Sequence, residues 1–516
     1  MSVSRRALLL GLGAGALASA LPLRAATRHV VATTRAGRVR GTIEGGVNVF
    51  RGIAYGADTA QRRFLPPLPP SPWKGTRDAL ALGHASPQHG DVGAQGEDCL
   101  VLNAWTPALR DGARRPVMVY IHGGEFSSGS SSAAILDGAR LCRRGDVVVV
   151  TLNHRLNAFG HLYLGRLRGA QYAQSGNIGL LDLVLALQWV RDHAEEFGGD
   201  PGNVTVFGQS GGGAKIATLM AMPAARGLFH RAATMSGQQV TASGPRSATL
   251  RAEAFLRALG IAPADVAKID SVPVADLVAA TQSPDATIAG RPLYFGPVLD
   301  HGTLPRHPFY PDAPAQSAAI PMIIGNTRDE TRAWLRDEPG MASLTWDELP
   351  ARLLPQLHVD IGPEHVVAEY RRIYPQYTPT EVFFAATTAG RSWRGAIIES
   401  ELRAAQGPRT WTYQLDYRSP VDGGKYGAMH AMDIPLVFDN IAMPGSLHVP
   451  EAQKVADAMS DAFIAFARTG KCEWRPYDLT RRSTMVFDTQ SRVVDDPRKG
   501  ERELFAAVPY IQRGTY

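Results

Sequence analysis

The segment Val204-Thr205-Val206-Phe207-Gly208-Gln209-Ser210-Gly211-Gly212-Gly213 sets one serine between a short apolar run and a cluster of glycines. Val204 to Phe207 has the composition of a strand buried on both faces, and a helix is expected to begin just after the serine. Gly208-Gln209-Ser210-Gly211-Gly212 fits the G-x-S-x-G nucleophile elbow, in which the serine sits on a strained strand-to-helix turn with its hydroxyl exposed. The glycines have a steric role there. A Cβ would obstruct the backbone angles and close contacts of such a turn, while the following helix N-terminus favours negative charge near the hydroxyl. Read alone, the stretch would also suit an ordinary glycine-rich loop or a phosphate cradle. A Walker A loop is excluded, because Lys215 is not preceded by the required glycine and no Ser or Thr follows it.

Working outward, Pro116 to Ile121 and Val147 to Leu152 are further continuous apolar runs, and Ile320 to Ile324 and Trp411 to Leu415 read as later strands. Leu180 to His193 carries apolar residues at helical spacing, in Leu183, Ala186, Leu187 and Val190. Strands alternating with helices predict an α/β fold: a large, mostly parallel central sheet flanked by helices. The regions 240–318 and 335–408 lack strong strand signals and read as largely helical, as insertions covering a site would. There is no internal repeat and no low-complexity linker.

Composition supports one large unit. The 516 residues are 45% hydrophobic and 20% charged, which gives no disorder signature, and residues 27–516 are expected to form a single domain with insertions. The net charge of +6 comes from basic residues spread along the chain, with no run or stripe, so nucleic-acid binding is not expected. Ser4-Arg5-Arg6, the uncharged stretch Ala7 to Leu23, and small residues at Ala18, Ala20, Ala25 and Ala26 give residues 1–26 the form of a twin-arginine export signal. The expected mature protein is periplasmic or secreted, with no stable membrane span. Cys99, Cys142 and Cys472 do not lie at metal-ligand spacing and read as free, mostly buried thiols.

A serine hydroxyl is a weak nucleophile at neutral pH and needs a base held by an acid. Gly325-Asn326-Thr327-Arg328-Asp329-Glu330 follows the strand ending at Ile324, the position at which a parallel sheet assembles its site. Glu330 is the expected acid, with Asp329 its competitor. Downstream lie His358, His365, His430 and His448. His430 alone occupies a loop after a strand, in Gly427-Ala428-Met429-His430-Ala431-Met432-Asp433, and is the expected base. Ile121-His122-Gly123-Gly124-Glu125-Phe126 follows another strand and reads as the HGG-type loop that supplies backbone N–H groups to an oxyanion, alongside the N–H after the nucleophile.

These motifs together resemble the type B carboxylesterases, the α/β-hydrolase family that includes cholinesterases and bile-salt lipases. The resemblance extends through Phe50-Arg51-Gly52-Ile53, Arg63-Phe64-Leu65-Pro66-Pro67, Trp73-Lys74-Gly75, Glu97-Asp98-Cys99, Asn153-His154-Arg155-Leu156, Phe197-Gly198-Gly199-Asp200-Pro201 and Phe466-Ala467-Arg468-Thr469-Gly470. It implies a triad of Ser210, Glu330 and His430, and oxyanion donors from the backbones of Gly124, Glu125 and Gly211. It also implies hydrolysis of small-molecule carboxylic esters through an acyl-enzyme, no metal or organic cofactor, and an apolar gorge formed by the insertions. The same machinery acting on amides, lactones or polyesters, or a non-catalytic binding protein on this fold, are the alternatives. Four positions depart from the family pattern. Ser86 stands where a cysteine usually pairs with Cys99, Glu125 where Gly or Ala is usual, Gly211 where the nucleophile is usually followed by alanine, and Ala431 where the base is usually followed by glycine. The Glu125 carboxylate is expected to point away from the oxyanion.

Overall fold

The computed structural model describes residues 28–515; the export signal read over residues 1–26 lies outside them. Thirteen strands form one sheet. In chain order they are β1 (His29–Thr33), β2 (Arg38–Glu44), β3 (Val47–Ala54), β4 (Thr76–Asp78), β5 (Val101–Thr106), β6 (Arg115–Ile121), β7 (Val148–Leu152), β8 (Gly199–Gln209), β9 (Arg231–Met235), β10 (Met322–Thr327), β11 (Thr410–Leu415), β12 (Ser483–Phe487) and β13 (Arg492–Asp495). Across the sheet the order is β1-β2-β3-β5-β7-β6-β8-β9-β10-β11-β12-β13, with β4 beside β2. The centre, from β7 to β12, is parallel, and the flanking pairs β1–β2, β2–β3, β3–β5, β5–β7 and β12–β13 are antiparallel.

Burial on both faces explains the unbroken apolar runs of the central strands. Alternate residues face opposite ways. Val117, Val119, Val148, Val150, Val204 and Val206 pack on one face with Leu180, Leu183 and Leu187 of helix α1 (Ile178–His193) and Ile216 of helix α2 (Gly211–Leu219). Met118, Tyr120, Val149 and Phe207 pack on the other, against Met459, Phe463 and Phe466 of the helix at Gln453–Thr469. The register then sets the site. Ile121 pairs with Gly208, Gln209 with Met235, and Met235 with Gly325, so β6, β8, β9 and β10 finish side by side. The ladder continues past their ends: the Ser210 N–H donates to Met235 (2.7 Å) and the Ser236 N–H to Gly325 (2.7 Å).

Several boundaries differ from the sequence reading. β8 begins at Gly199, because Gly199 pairs with Arg115 across a register shift and the Asp200-Pro201 turn signal is absorbed into the strand. β10 begins at Met322, one residue after Pro321, which has no N–H to donate. The antiparallel strands before Arg115 lie outside the sequence reading; β2 alternates exposed and buried residues and carries no apolar run, while in the buried β3 and β5 polar residues such as Asn48, Arg51 and Asn103 break the apolar run. The helical expectation for 335–408 holds through Pro363–Ile373, Pro379–Thr388 and Arg394–Ala404. For 240–318 it holds only to Ala280. Beyond it Pro284, Gly290, Pro292, Gly296 and Pro297 interrupt the backbone, and most of the chain to 314 is irregular. Among the described residues no helix is long and apolar enough to cross a membrane.

Glu399, in the helix Arg394–Ala404, is fully buried; one carboxylate oxygen accepts from the Gln239 N–H (2.7 Å) and the other has no partner among the described residues. Burial pushes this carboxyl up to about 8, against an ordinary value of 4.5. The folded chain therefore keeps a proton that the unfolded chain releases. The stability this contributes is fully present below pH 4.5 and is lost as pH rises through about 8. Glu399→Gln keeps the acceptor and removes the titration. Its stability relative to the parent should rise by ~1–3 kcal/mol between about pH 5 and about pH 9, read from denaturant unfolding at both pH values. A difference that does not change with pH contradicts this assignment.

Candidate active site

Ser210 stands between β8 and α2 with φ 57° and ψ −126°, a backbone conformation that costs a residue with a side chain of the order of 1–3 kcal/mol and is typical of functional turns. Its side chain faces a cavity of about 540 Å³, lined also by Glu125, Phe126, Gly211, Trp334 and His430. The loop after β6 comes against the same turn. A Cβ on Gly211 would lie 2.1 Å from the Glu125 carbonyl oxygen and 2.4 Å from its nitrogen, so only glycine admits this approach. Gly124 and Glu125 both take positive φ (83° and 53°), and among the described residues their N–H groups donate to no other part of the chain. They stand beside the Gly211 N–H at the start of α2, where backbone donors lack intrahelical partners.

Glu330 lies just past β10 and is fully buried. One of its oxygens accepts from the Thr327 N–H (2.9 Å) and the Asn326 side-chain amide (3.2 Å); the other is 2.5 Å from Nδ1 of His430. Burial alone would raise this carboxyl, but the charge of His430 and its hydrogen bond outweigh that, and Glu330 is held below the usual carboxylate range. The bond at Nδ1 leaves Nε2 of His430 toward the cavity side of the pair, buried and without a partner among the described residues. Trp334 packs against the imidazole with ring centroids 4.9 Å apart.

The competitor Asp329 has a different task. It accepts from the Ala428 N–H (3.1 Å) and lies 3.3 Å from the Arg418 guanidinium, so it anchors the loop that carries His430. Of the other histidines, His365 is exposed on a helix, and His448 bonds the Met432 carbonyl through Nε2 (2.8 Å) behind that loop. His358, set aside in the sequence, lines the cavity.

Lys215 was passed over once the phosphate-loop reading failed. It is fully buried on α2 and its Nζ donates to the His122 carbonyl (3.1 Å), tying the helix that follows Ser210 to the root of the Gly123-Gly124 loop. Burial pulls its ammonium down to about 7, the Glu125 charge opposing. His122 and His154 stack beside it at 4.9 Å, and burial together with the Lys215 charge lowers both, His122 to about 3. Asp433 is a second buried carboxylate near the pair. Burial pushes it up to about 6, although the Tyr413 hydroxyl donates to it (2.7 Å). A charged side chain in an apolar helix was the only sequence signal for Lys215, and Asp433 had none.

The departures from the family pattern acquire physical content. Ser86 is buried and accepts from the Leu156 N–H (3.1 Å), while Cys99 is a free, buried thiol beside it. Ala431 takes φ 73°, the left-handed conformation that a glycine would adopt without cost. Glu125 makes no ion pair among the described residues, and its charge acts on Lys215, Tyr294 and Arg391.

The model of the carboxylesterase family matches residues 28–504. The chain belongs to the carboxylesterase family. It is 35% identical to the para-nitrobenzyl esterase of Bacillus subtilis, over 92% of this chain and 98% of that protein. It is 33% identical to the phenmedipham hydrolase of Pseudarthrobacter oxydans, over 85% and 90%. A carboxylesterase structure from Geobacillus stearothermophilus at pH 6.2 superposes with a TM-score of 0.81 at 37% identity, covering 92% of this chain and 99% of that one. The α/β-hydrolase fold and carboxylic ester hydrolysis by the serine-hydrolase mechanism follow for this carboxylesterase.

Gly211 and Glu125 depart from the family together, and their backbones touch. Gly211→Ala should therefore push the Glu125 peptide away and lower kcat by ~10–100-fold, short of the full loss of an oxyanion donor. Adding Glu125→Gly frees that peptide to move and should restore part of the loss. Steady-state kinetics on one neutral aryl ester decide it, and a fully active Gly211→Ala variant contradicts the account.

Proposed function

We propose that Ser210, His430 and Glu330 are the catalytic residues of this carboxylesterase. The observation that carries the reading is the buried Glu330–His430 bond of 2.5 Å, made through Nδ1, on an imidazole that shares its cavity with the Ser210 hydroxyl. Nε2 accepts the serine proton as Oγ attacks the ester carbonyl. Glu330 fixes the tautomer and stabilises the imidazolium that forms. The N–H groups of Gly124, Glu125 and Gly211 stabilise the tetrahedral oxyanion. As that intermediate collapses, His430 returns the proton to the departing alkoxide, and an acyl group remains on Ser210. Water, deprotonated by the same imidazole, then releases the acid and restores the serine.

Export is part of the same proposal, supported by Ser4-Arg5-Arg6 ahead of an uncharged stretch. Replacing both arginines with lysine should keep the protein in the cytoplasm, assayed by cell fractionation, and unaltered export contradicts it. For the chemistry, Ser210→Ala should reduce ester hydrolysis by at least ~10³-fold with the unfolding transition preserved. A variant that folds and retains more than a trace of activity contradicts the assignment of Ser210.

A further inference from the structure

Among the described residues three arginines, Arg291, Arg391 and Arg513, line the cavity of Ser210 and His430, and Glu125 is the one acidic residue there. Arg391 comes from a single π-turn, Ala389–Trp393, between two helices. Such turns interrupt a helix and recur at functional sites. Its guanidinium lies 4.4 Å from the centroid of the Trp334 ring, whose other neighbour is the His430 imidazole at 4.9 Å. The cation therefore sits one side chain away from the catalytic base. Among the described residues no carboxylate lies within ion-pair distance of Arg391 or Arg291.

We propose that this carboxylesterase prefers esters bearing a second, free carboxylate, which Arg391 grips with Arg291 and Arg513 around it. The inference rests on the ester-hydrolase reading above and adds the substrate class to it. A largely buried guanidinium without a carboxylate partner is costly, and a ligand anion supplies the missing charge. Burial lowers the pKa of Arg391, with Glu125 opposing and the like charge of Arg291 adding to the effect. His358 reports the same field. Burial, followed by Arg513, Arg391 and Arg291, drives its imidazole down to about 3, so it is neutral, and its Nε2 is buried without a partner among the described residues. A planar guanidinium matches a carboxylate in bidentate fashion, whereas a wholly apolar ester would leave these groups unused.

Two substrate pairs test the proposal. In each pair a free carboxylate is set against its methyl ester: para-nitrophenyl hydrogen glutarate against its methyl ester, with the carboxylate on the acyl side, and para-acetoxybenzoate against its methyl ester, with the carboxylate on the leaving group, each kcat/KM being divided by that ester's own rate of uncatalysed hydrolysis. In at least one pair the anion should be favoured in kcat/KM by ~10-fold or more. Arg391→Gln should lower the anion-to-neutral ratio by ~10–100-fold, mainly through KM, and Arg391→Lys should recover part of it. Arg291→Gln, on an exposed stretch, should lower the same ratio by a smaller factor. Because the readout is a ratio, a general disturbance of Trp334 and His430 cancels. Turnover of the neutral esters with no preference for the anion in either pair overturns the proposal and leaves the esterase reading intact. A ratio unmoved by Arg391→Gln overturns it too. Absence of turnover with all four esters would bring down both readings.

Discussion

A carboxylate with no solvent exposure, kept ionised by one imidazole, is the constraint on which the site depends. His430 does most to hold Glu330 as an anion, and the Thr327 N–H and the Asn326 amide also direct hydrogens at it. The same arrangement fixes His430: with Nδ1 committed to Glu330, Nε2 is the nitrogen left for proton transfer. Removing the carboxylate would free the ring to rotate and remove the charge that stabilises its protonated form.

That pair functions only if the sheet delivers the serine to it. Ser210, Glu330 and His430 are far apart in the chain, and the parallel register of β6, β8, β9 and β10 aligns the strand ends from which the Gly123-Gly124 loop, Ser210 and Glu330 emerge. His430 comes from the loop after β11, held by Asp329 through the Ala428 N–H. The two carboxylates that follow β10 thus divide the work, one orienting the imidazole and the other the loop that carries it. Lys215 ties α2 to the His122 carbonyl in the same way, linking the turn that carries Ser210 to the root of the Gly123-Gly124 loop.

The site was legible where local chemistry is distinctive. The glycine-flanked Ser210, the Gly123-Gly124 loop and the acid and histidine after strands all carry signals within a few residues of themselves. The parallel strands were legible because burial on both faces leaves continuous apolar runs. The outermost strands β1 and β2 were not, since their mostly exposed, interrupted pattern resembles ordinary surface chain. Arg391 and His358 were also illegible: both belong to insertions whose packing against the sheet is set by contacts distant in sequence. The contact of Gly211 with residue 125 needed coordinates as well, because only they show that a Cβ on Gly211 would lie 2.1 Å from the Glu125 carbonyl oxygen.

The central claim is that Glu330 acts through His430 on the hydroxyl of Ser210. Labelling with a fluorophosphonate, followed by peptide mass spectrometry, tests it in the parent and in Glu330→Gln. The account predicts a single adduct on the peptide containing Ser210, formed ~10³–10⁴-fold more slowly in the variant. An adduct on another residue, or equal labelling rates in the two proteins, would contradict it.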